Sequence, residues 1–144
     1  MAIQKFTATA TSETATRTVV SARQFQIIID EPKSLGGSDN GPNPVEYVLA
    51  ALSGCLNVVA HVVASEMGFT LKKLTIEAEG DLDPARFMGK SVHERAGYKE
   101  IRLKLKPDAD ADAKALEKWL NAVVDRCPVS DNLKNATPVS ITLG

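Results

Sequence analysis

The run from Val45 to Val63 constrains this chain more than any other part of it. Its sequence, VEYVLAALSGCLNVVAHVV, is apolar on almost every side of a helix. Asn43 can cap that helix, Pro44 suits the first helical position, and Glu46 stands three residues after the cap, as in a capping box. The helix is expected to continue to about Met67, with Gly68 as its left-handed stop. At 1.5 Å per residue it would be about 36 Å long. A helix that is apolar all round is buried all round. A chain of 144 residues has difficulty covering such a helix alone, so a second subunit is expected to cover part of it. Asn57, His61 and Glu66 interrupt the stretch, which therefore does not read as a membrane span.

The flanking patterns place the helix in an α+β chain. Residues 3–10, 17–21 and 24–30 are strand candidates, the last holding the β-branched run Ile27-Ile28-Ile29. A loop rich in glycine, Leu35 to Pro42, joins them to the helix. After the helix, residues 71–82 and 98–106 alternate as strands do, around a polar loop at 83–97. Residues 110–126 are helical, with Leu116, Trp119, Leu120, Val123 and Val124 on one face. Pro128 opens a short helix to about Asn135, and residues 137–143 are expected to close the chain as a strand. This grouping of strands and helices favours α+β over a doubly wound parallel sheet. The length, and the absence of repeats or linkers, point to a single domain over 1–144.

Composition excludes several function classes. A net charge of −1 gives no general attraction to nucleic acid or anionic lipid. Aromatic residues make up 5% of the chain, too few for a base-stacking surface. The opening Met1-Ala2-Ile3-Gln4-Lys5-Phe6 lacks the form of a signal peptide. Two cysteines without a secretion signal suggest a reducing compartment, with the cytoplasm as the expected location.

Those two cysteines carry the chemistry. Cys55 lies inside the apolar helix; Cys127 stands 72 positions later (127 − 55), in Arg126-Cys127-Pro128-Val129-Ser130. With Pro128 as first helical residue, Cys127 is a cap, its sulfur near free N–H groups and the positive end of a helix dipole. Arg126 adds positive charge, and both effects favour the thiolate. The plainer reading is a small buried cysteine at a helix junction. Cys55 shares a stripe with Val48, Ala51, Leu52, Val58, Val59 and Val62, an apolar setting that raises a thiol pKa. From the helix alone it reads as core, and acting as a nucleophile would require a tertiary partner such as Arg17 or Arg23, each of which reads more simply as solvated strand surface. Glu46 precedes Cys55 by nine positions, about half a turn out of phase, and capping accounts for it without catalysis. His61 is poorly aligned with Cys55 and His93 lies in the polar loop. No CxxC or HxxxH spacing supports zinc, and the glycine loop lacks a Walker or GxGxxG pattern, so no metal or cofactor is expected.

Taken together, Gly41-Pro42-Asn43-Pro44-Val45-Glu46-Tyr47, Ala50-Ala51-Leu52-Ser53-Gly54-Cys55 and Cys127-Pro128-Val129-Ser130-Asp131-Asn132-Leu133 resemble the OsmC/Ohr family over nearly the whole chain. The resemblance implies an intertwined homodimer, with two long central helices packed against antiparallel sheets. It also implies thiol-dependent reduction of organic hydroperoxides. Cys55 would be the attacking thiolate and pass to a sulfenic acid, and Cys127 would condense with it to a disulfide that an external dithiol reduces. An arginine of the early strands, carried onto Arg17, and a glutamate at the start of the long helix, carried onto Glu46, would hold the thiolate. The chain departs from the peroxidase-type pattern in one respect: Val45 occupies the position after Asn43-Pro44 where those members carry the glutamate, and Glu46 follows it. A one-residue shift turns a side chain by about 100°. The chain thus resembles a divergent branch. The competing reading is a non-catalytic or redox-sensing protein that binds a small hydrophobic ligand at the dimer interface.

Overall fold

The computed structural model describes residues 1–144. They form two compact units, Met1–Val48 and Leu49–Gly144. In the first, β1 (Thr9–Ser12), β2 (Thr18–Ala22) and β3 (Phe25–Ile29) make an antiparallel meander in the order β1-β2-β3. Thr18 faces Ile29 and Ala22 faces Phe25 across the second pairing. The turn between them places Arg23 at φ 54°, with its guanidinium 5.1 Å from the centre of the Phe25 ring. Arg23 is therefore a turn residue rather than part of a strand.

The loop after β3 is organised by one carboxylate. Asp30 is 0% exposed and accepts from the backbone N–H groups of Glu31 (2.8 Å), Ser38 (3.3 Å) and Asn40 (3.1 Å). Burial by itself would raise its pKa, but these N–H donors and the Thr16 side chain outweigh burial and hold the carboxyl below its ordinary range. Gly37 lets the loop fold back on itself, since a Cβ there would lie 1.8 Å from the Glu31 carbonyl oxygen. The Tyr47 hydroxyl donates to the Ile28 carbonyl at 2.8 Å and fastens the start of the long helix to β3.

That helix, α1, spans Pro44–Glu66. Its capping box is reciprocal: Glu46 N–H donates to Asn43 Oδ1 (2.9 Å), and Asn43 N–H donates to Glu46 Oε2 (2.8 Å). Its end is a Schellman motif around Gly68 (φ 76°), with Phe69 N–H bonded to Ala64 O and Gly68 N–H to Ser65 O. The expected boundaries hold, but the all-round burial does not. Leu52, Leu56, Ala60, Val63 and Ala64 are buried, whereas Val58 is 62% exposed and Val62 43%. One stripe of α1 packs within the chain, and the opposite stripe has no cover in it.

The second unit adds β4 (Leu71–Asp81) paired antiparallel with β5 (Glu100–Ala109), then α2 (Ala113–Arg126) and α3 (Pro128–Lys134). Asp112 caps α2 by accepting from Ala115 N–H at 2.8 Å. Leu74, Ile76, Ile101, Leu103 and Leu105 give the sheet one apolar face, which packs against a core built on α1, Trp119, Val123 and Cys127. The other face is ionic. Arg102 pairs with Glu79 (2.8 Å), Asp81 and Glu100 (2.6 Å each), and Lys106 pairs with Glu77.

Both expected end strands need correction. Strand 3–10 moves to Thr9–Ser12, and residues 137–143 form no strand. The alternation that suggested them is present, but a strand also needs a neighbour whose N–H and C=O groups it can bond. Neither end finds one within the chain, so Ile3, Phe6, Val139, Ile141 and Leu143 are left exposed.

Candidate functional site

The fold brings Cys55 and Cys127 together. Their sulfurs are 3.2 Å apart and both are free thiols. A disulfide bond is about 2.05 Å long, so closing it requires only about 1 Å of approach. Two features of local sequence set this up. Cys55 lies at the edge of the packed side of α1, one residue before buried Leu56 and bordering the exposed Val58 and Val62, so the stripe expected to hold all of them is only partly covered. Cys127 is the single non-helical residue between α2 and α3 (φ −81°, ψ 110°), ending one helix and capping the next. Pro128, whose ring fixes φ and which lacks an N–H, makes that abrupt restart possible.

The two thiols differ in access. Cys127 is 1% exposed, and Cys55 is partly exposed. The cap geometry expected for Cys127 is present, with Ser130 N–H donating to its sulfur at 3.4 Å. Its expected electrostatic result is overturned. Burial pushes the Cys127 thiol up, and the neighbouring Cys55 pushes the same way, against the Ser130 and Val129 N–H groups. Arg126 does not assist, because its guanidinium is turned onto Glu66, donating from Nη1 to Oε2 and from Nη2 to Oε1 (3.1 Å). Cys127 is thus a protonated, enclosed thiol at neutral pH.

Arg17 and Glu46 lie in the first unit and have partners there. Arg17 Nε is 2.9 Å from Glu13 Oε2 as an ion pair, although its N–H is not aligned for a hydrogen bond. The Glu46 carboxylate serves the capping box. His61 Nδ1 lies 3.0 Å from Asn57 O on the exposed side of α1, and His93 N–H donates to Ser91 Oγ in the loop. No group of three or more His, Cys, Asp or Glu side chains converges in a way that would hold a metal ion. A shallow cleft lined by Glu77, Glu79, Arg102 and Lys104 contains neither cysteine; it is the ionic face of the β4–β5 sheet.

Two positioning contacts lay beyond the reach of sequence reasoning. Trp119 Nε1–H donates to Ala60 O at 2.9 Å inside the core, joining α2 to α1. The Arg126–Glu66 pair joins the ends of the same two helices. The one tryptophan of the chain, on the apolar face of a predicted helix, hinted at the first. Nothing local pairs residues 60 apart (126 − 66), so the second had no signal.

Comparison with known proteins agrees with this architecture. Residues 36–142 match the sequence model of the family described as OsmC-like protein. Among solved structures, an OsmC-like protein from Mycoplasma pneumoniae has a TM-score of 0.80 at 22% identity, covering 92% of this chain and 89% of its own. The organic hydroperoxide resistance protein OhrB of Bacillus subtilis has a TM-score of 0.65 at 21% identity, covering 94% of each chain. An organic hydroperoxide resistance protein OsmC from Legionella pneumophila has a TM-score of 0.66 at 16% identity, covering 93% and 92%. No curated protein sequence matches. The family match takes in 107 of 144 residues (142 − 36 + 1), α1 and both cysteines among them, and the chain belongs to the OsmC-like protein family.

Proposed function

We propose that this protein is a thiol peroxidase that reduces organic hydroperoxides, with Cys55 as the attacking residue and Cys127 as the resolving one. The observation that carries this reading is the 3.2 Å contact between the sulfurs of a partly exposed cysteine and a buried one. The Cys55 thiolate attacks one peroxide oxygen, the O–O bond breaks, and the other oxygen leaves as an alcohol once it takes up a proton. The Cys127 sulfur then attacks the Cys55 sulfenic acid, expelling water and forming the disulfide. An external dithiol returns two electrons and two protons by thiol–disulfide exchange. No bound cofactor enters this cycle. Apolar walls around Cys55 suit an organic peroxide better than hydrogen peroxide. By family analogy Arg17 and Glu46 would hold the thiolate, in which case Arg17 leaves Glu13 and Glu46 leaves the Asn43 N–H.

The same reading makes the working protein a homodimer. Its support is the uncovered apolar stripe of α1 together with the two alternating, unpaired ends. A second copy would cover the first and supply strand partners for the second. Light scattering is expected to give twice the 15.4 kDa chain mass at micromolar concentration. A monomer there would remove this part of the proposal.

The test of activity is stoichiometry. With excess dithiothreitol or dihydrolipoamide, one mole of protein should consume many moles of cumene hydroperoxide. Consumption that ends after one equivalent would favour a redox-sensing or ligand-binding role for the same cysteines.

A further inference from the structure

We propose that the Arg126–Glu66 ion pair is a positioning device for the thiol pair: it pins the last residue of α2 to the last residue of α1 and so keeps Cys127 within reach of Cys55. This inference rests on the redox reading of the two cysteines.

The last turn of a helix has unpaired carbonyls and frays unless something holds it. Arg126 is the terminal residue of α2, and Cys127 follows it directly. On its other side Cys127 is held by Pro128 and by its own cap bond to Ser130 N–H. The position of the sulfur therefore depends on where the end of α2 is fixed: core packing through Trp119 and Val123 holds the body of that helix, and the ion pair holds its last residue. The two guanidinium Nη atoms each donate to a different Glu66 carboxylate oxygen, a bidentate arrangement that specifies direction as well as distance. The two side chains are 43% and 54% exposed. Exposed pairs contribute little to global stability, so this one is poorly suited to holding the fold and well suited to adjusting one junction. The Arg126 guanidinium is engaged by Glu66 and does not act on the Cys127 thiol, leaving geometry rather than thiolate stabilisation as its contribution.

Disulfide closure needs about 1 Å of approach from the resting 3.2 Å, so it is sensitive to slack at the α2 end. The reaction concerned is formation of the Cys55–Cys127 disulfide from the dithiol, with oxidised glutathione as oxidant and reduced glutathione as product. The experiment is a glutathione redox titration of the full-length protein, read as the equilibrium constant for that disulfide. Arg126→Ala and Glu66→Gln should each lower the constant roughly three- to fivefold, as expected for loss of one exposed pair. The double exchange Arg126→Glu with Glu66→Arg should recover most of it, which a general loss of helix stability would not do. Raising salt to about 1 M, where the Debye length falls to about 3 Å, should lower the wild-type constant toward that of the variants and leave theirs nearly unchanged. Wild-type protein that closes its disulfide, with both single variants unchanged within about 1.5-fold, overturns the positioning role and leaves the redox reading standing. If the single variants weaken closure but the exchange fails to restore it, the pair is not the cause and the proposal also falls. Wild-type protein that forms no intramolecular disulfide under oxidised glutathione overturns both.

Discussion

Replacing Cys55 by serine is expected to lower multiple-turnover consumption of cumene hydroperoxide by roughly a thousandfold or more, since the attacking nucleophile itself is lost. Replacing Cys127 by serine should give a different defect. Without added thiol, that variant should consume one equivalent of peroxide and stop with a persistent sulfenic acid on Cys55, trappable by dimedone. Wild-type protein treated in the same way should give the Cys55–Cys127 disulfide and little trapped adduct. The asymmetry follows from access. Cys55 is partly exposed and meets the peroxide, while Cys127 is sealed at 1% exposure and held protonated by burial. A helix-cap thiol is often the more acidic of two, and the sequence alone favours Cys127 on that ground. In the folded chain desolvation outweighs the cap bond. Peptide mapping decides the matter: dimedone adducts found at Cys127 in the Cys55→Ser variant, with none at Cys55 in the Cys127→Ser variant, would exchange the two roles.

What could be read in the sequence was local. The Asn43–Glu46 capping box, the Gly68 stop and the Pro128 restart are each decided within a few residues, and each stands where the pattern put it. The alternating patterns located β4 and β5 to within about three residues at either end, because one face of that sheet is buried inside the chain. The same kind of pattern failed at residues 3–10 and 137–143. Alternation reports a face that prefers burial, but a strand also requires a partner, and periodicity does not say whether the chain supplies one. The all-round apolar α1 misled in the same way: its composition demands cover on every side, and the chain provides it on one. At the site, both cysteines were visible as candidates, but spacing alone did not join them, since 72 residues of fold intervene; the family resemblance was what implied their meeting. The direction of the Arg126 side chain was equally hidden. A guanidinium next to a cysteine in sequence suggests a thiolate partner, yet a carboxylate on another helix takes it.

The largest effect on stability is expected at Trp119. This side chain is 2% exposed and sits against Ala60 and Phe69 in the core that also holds Val63, between α2 and the elements that hold Cys55. Three contributions meet there. Its large apolar surface leaves water; its ring meets Phe69 edge-on, with centroids 6.4 Å apart at 69°; and its indole N–H bonds the Ala60 carbonyl. Trp119→Ala is expected to cost about 3–5 kcal/mol, the usual range for truncating a buried large aromatic. That corresponds to a fall in Tm of roughly 10 °C or more at fixed protein concentration. Trp119→Phe separates packing from hydrogen bonding. It keeps an aromatic ring but removes the donor, so most of its cost should be the hydrogen bond, about 1 kcal/mol, plus a small cost for the cavity left behind. Ala60 O remains within the helical ladder of α1, so no buried acceptor is left without a partner, which keeps this second loss small. The ordering of the two variants carries the argument. If alanine costs no more than phenylalanine by urea denaturation, Trp119 serves as a tether, and its packing contributes little. A loss near 4 kcal/mol for alanine against about 1 for phenylalanine would make burial the main force holding α2, and with it Cys127, against the helix that carries Cys55.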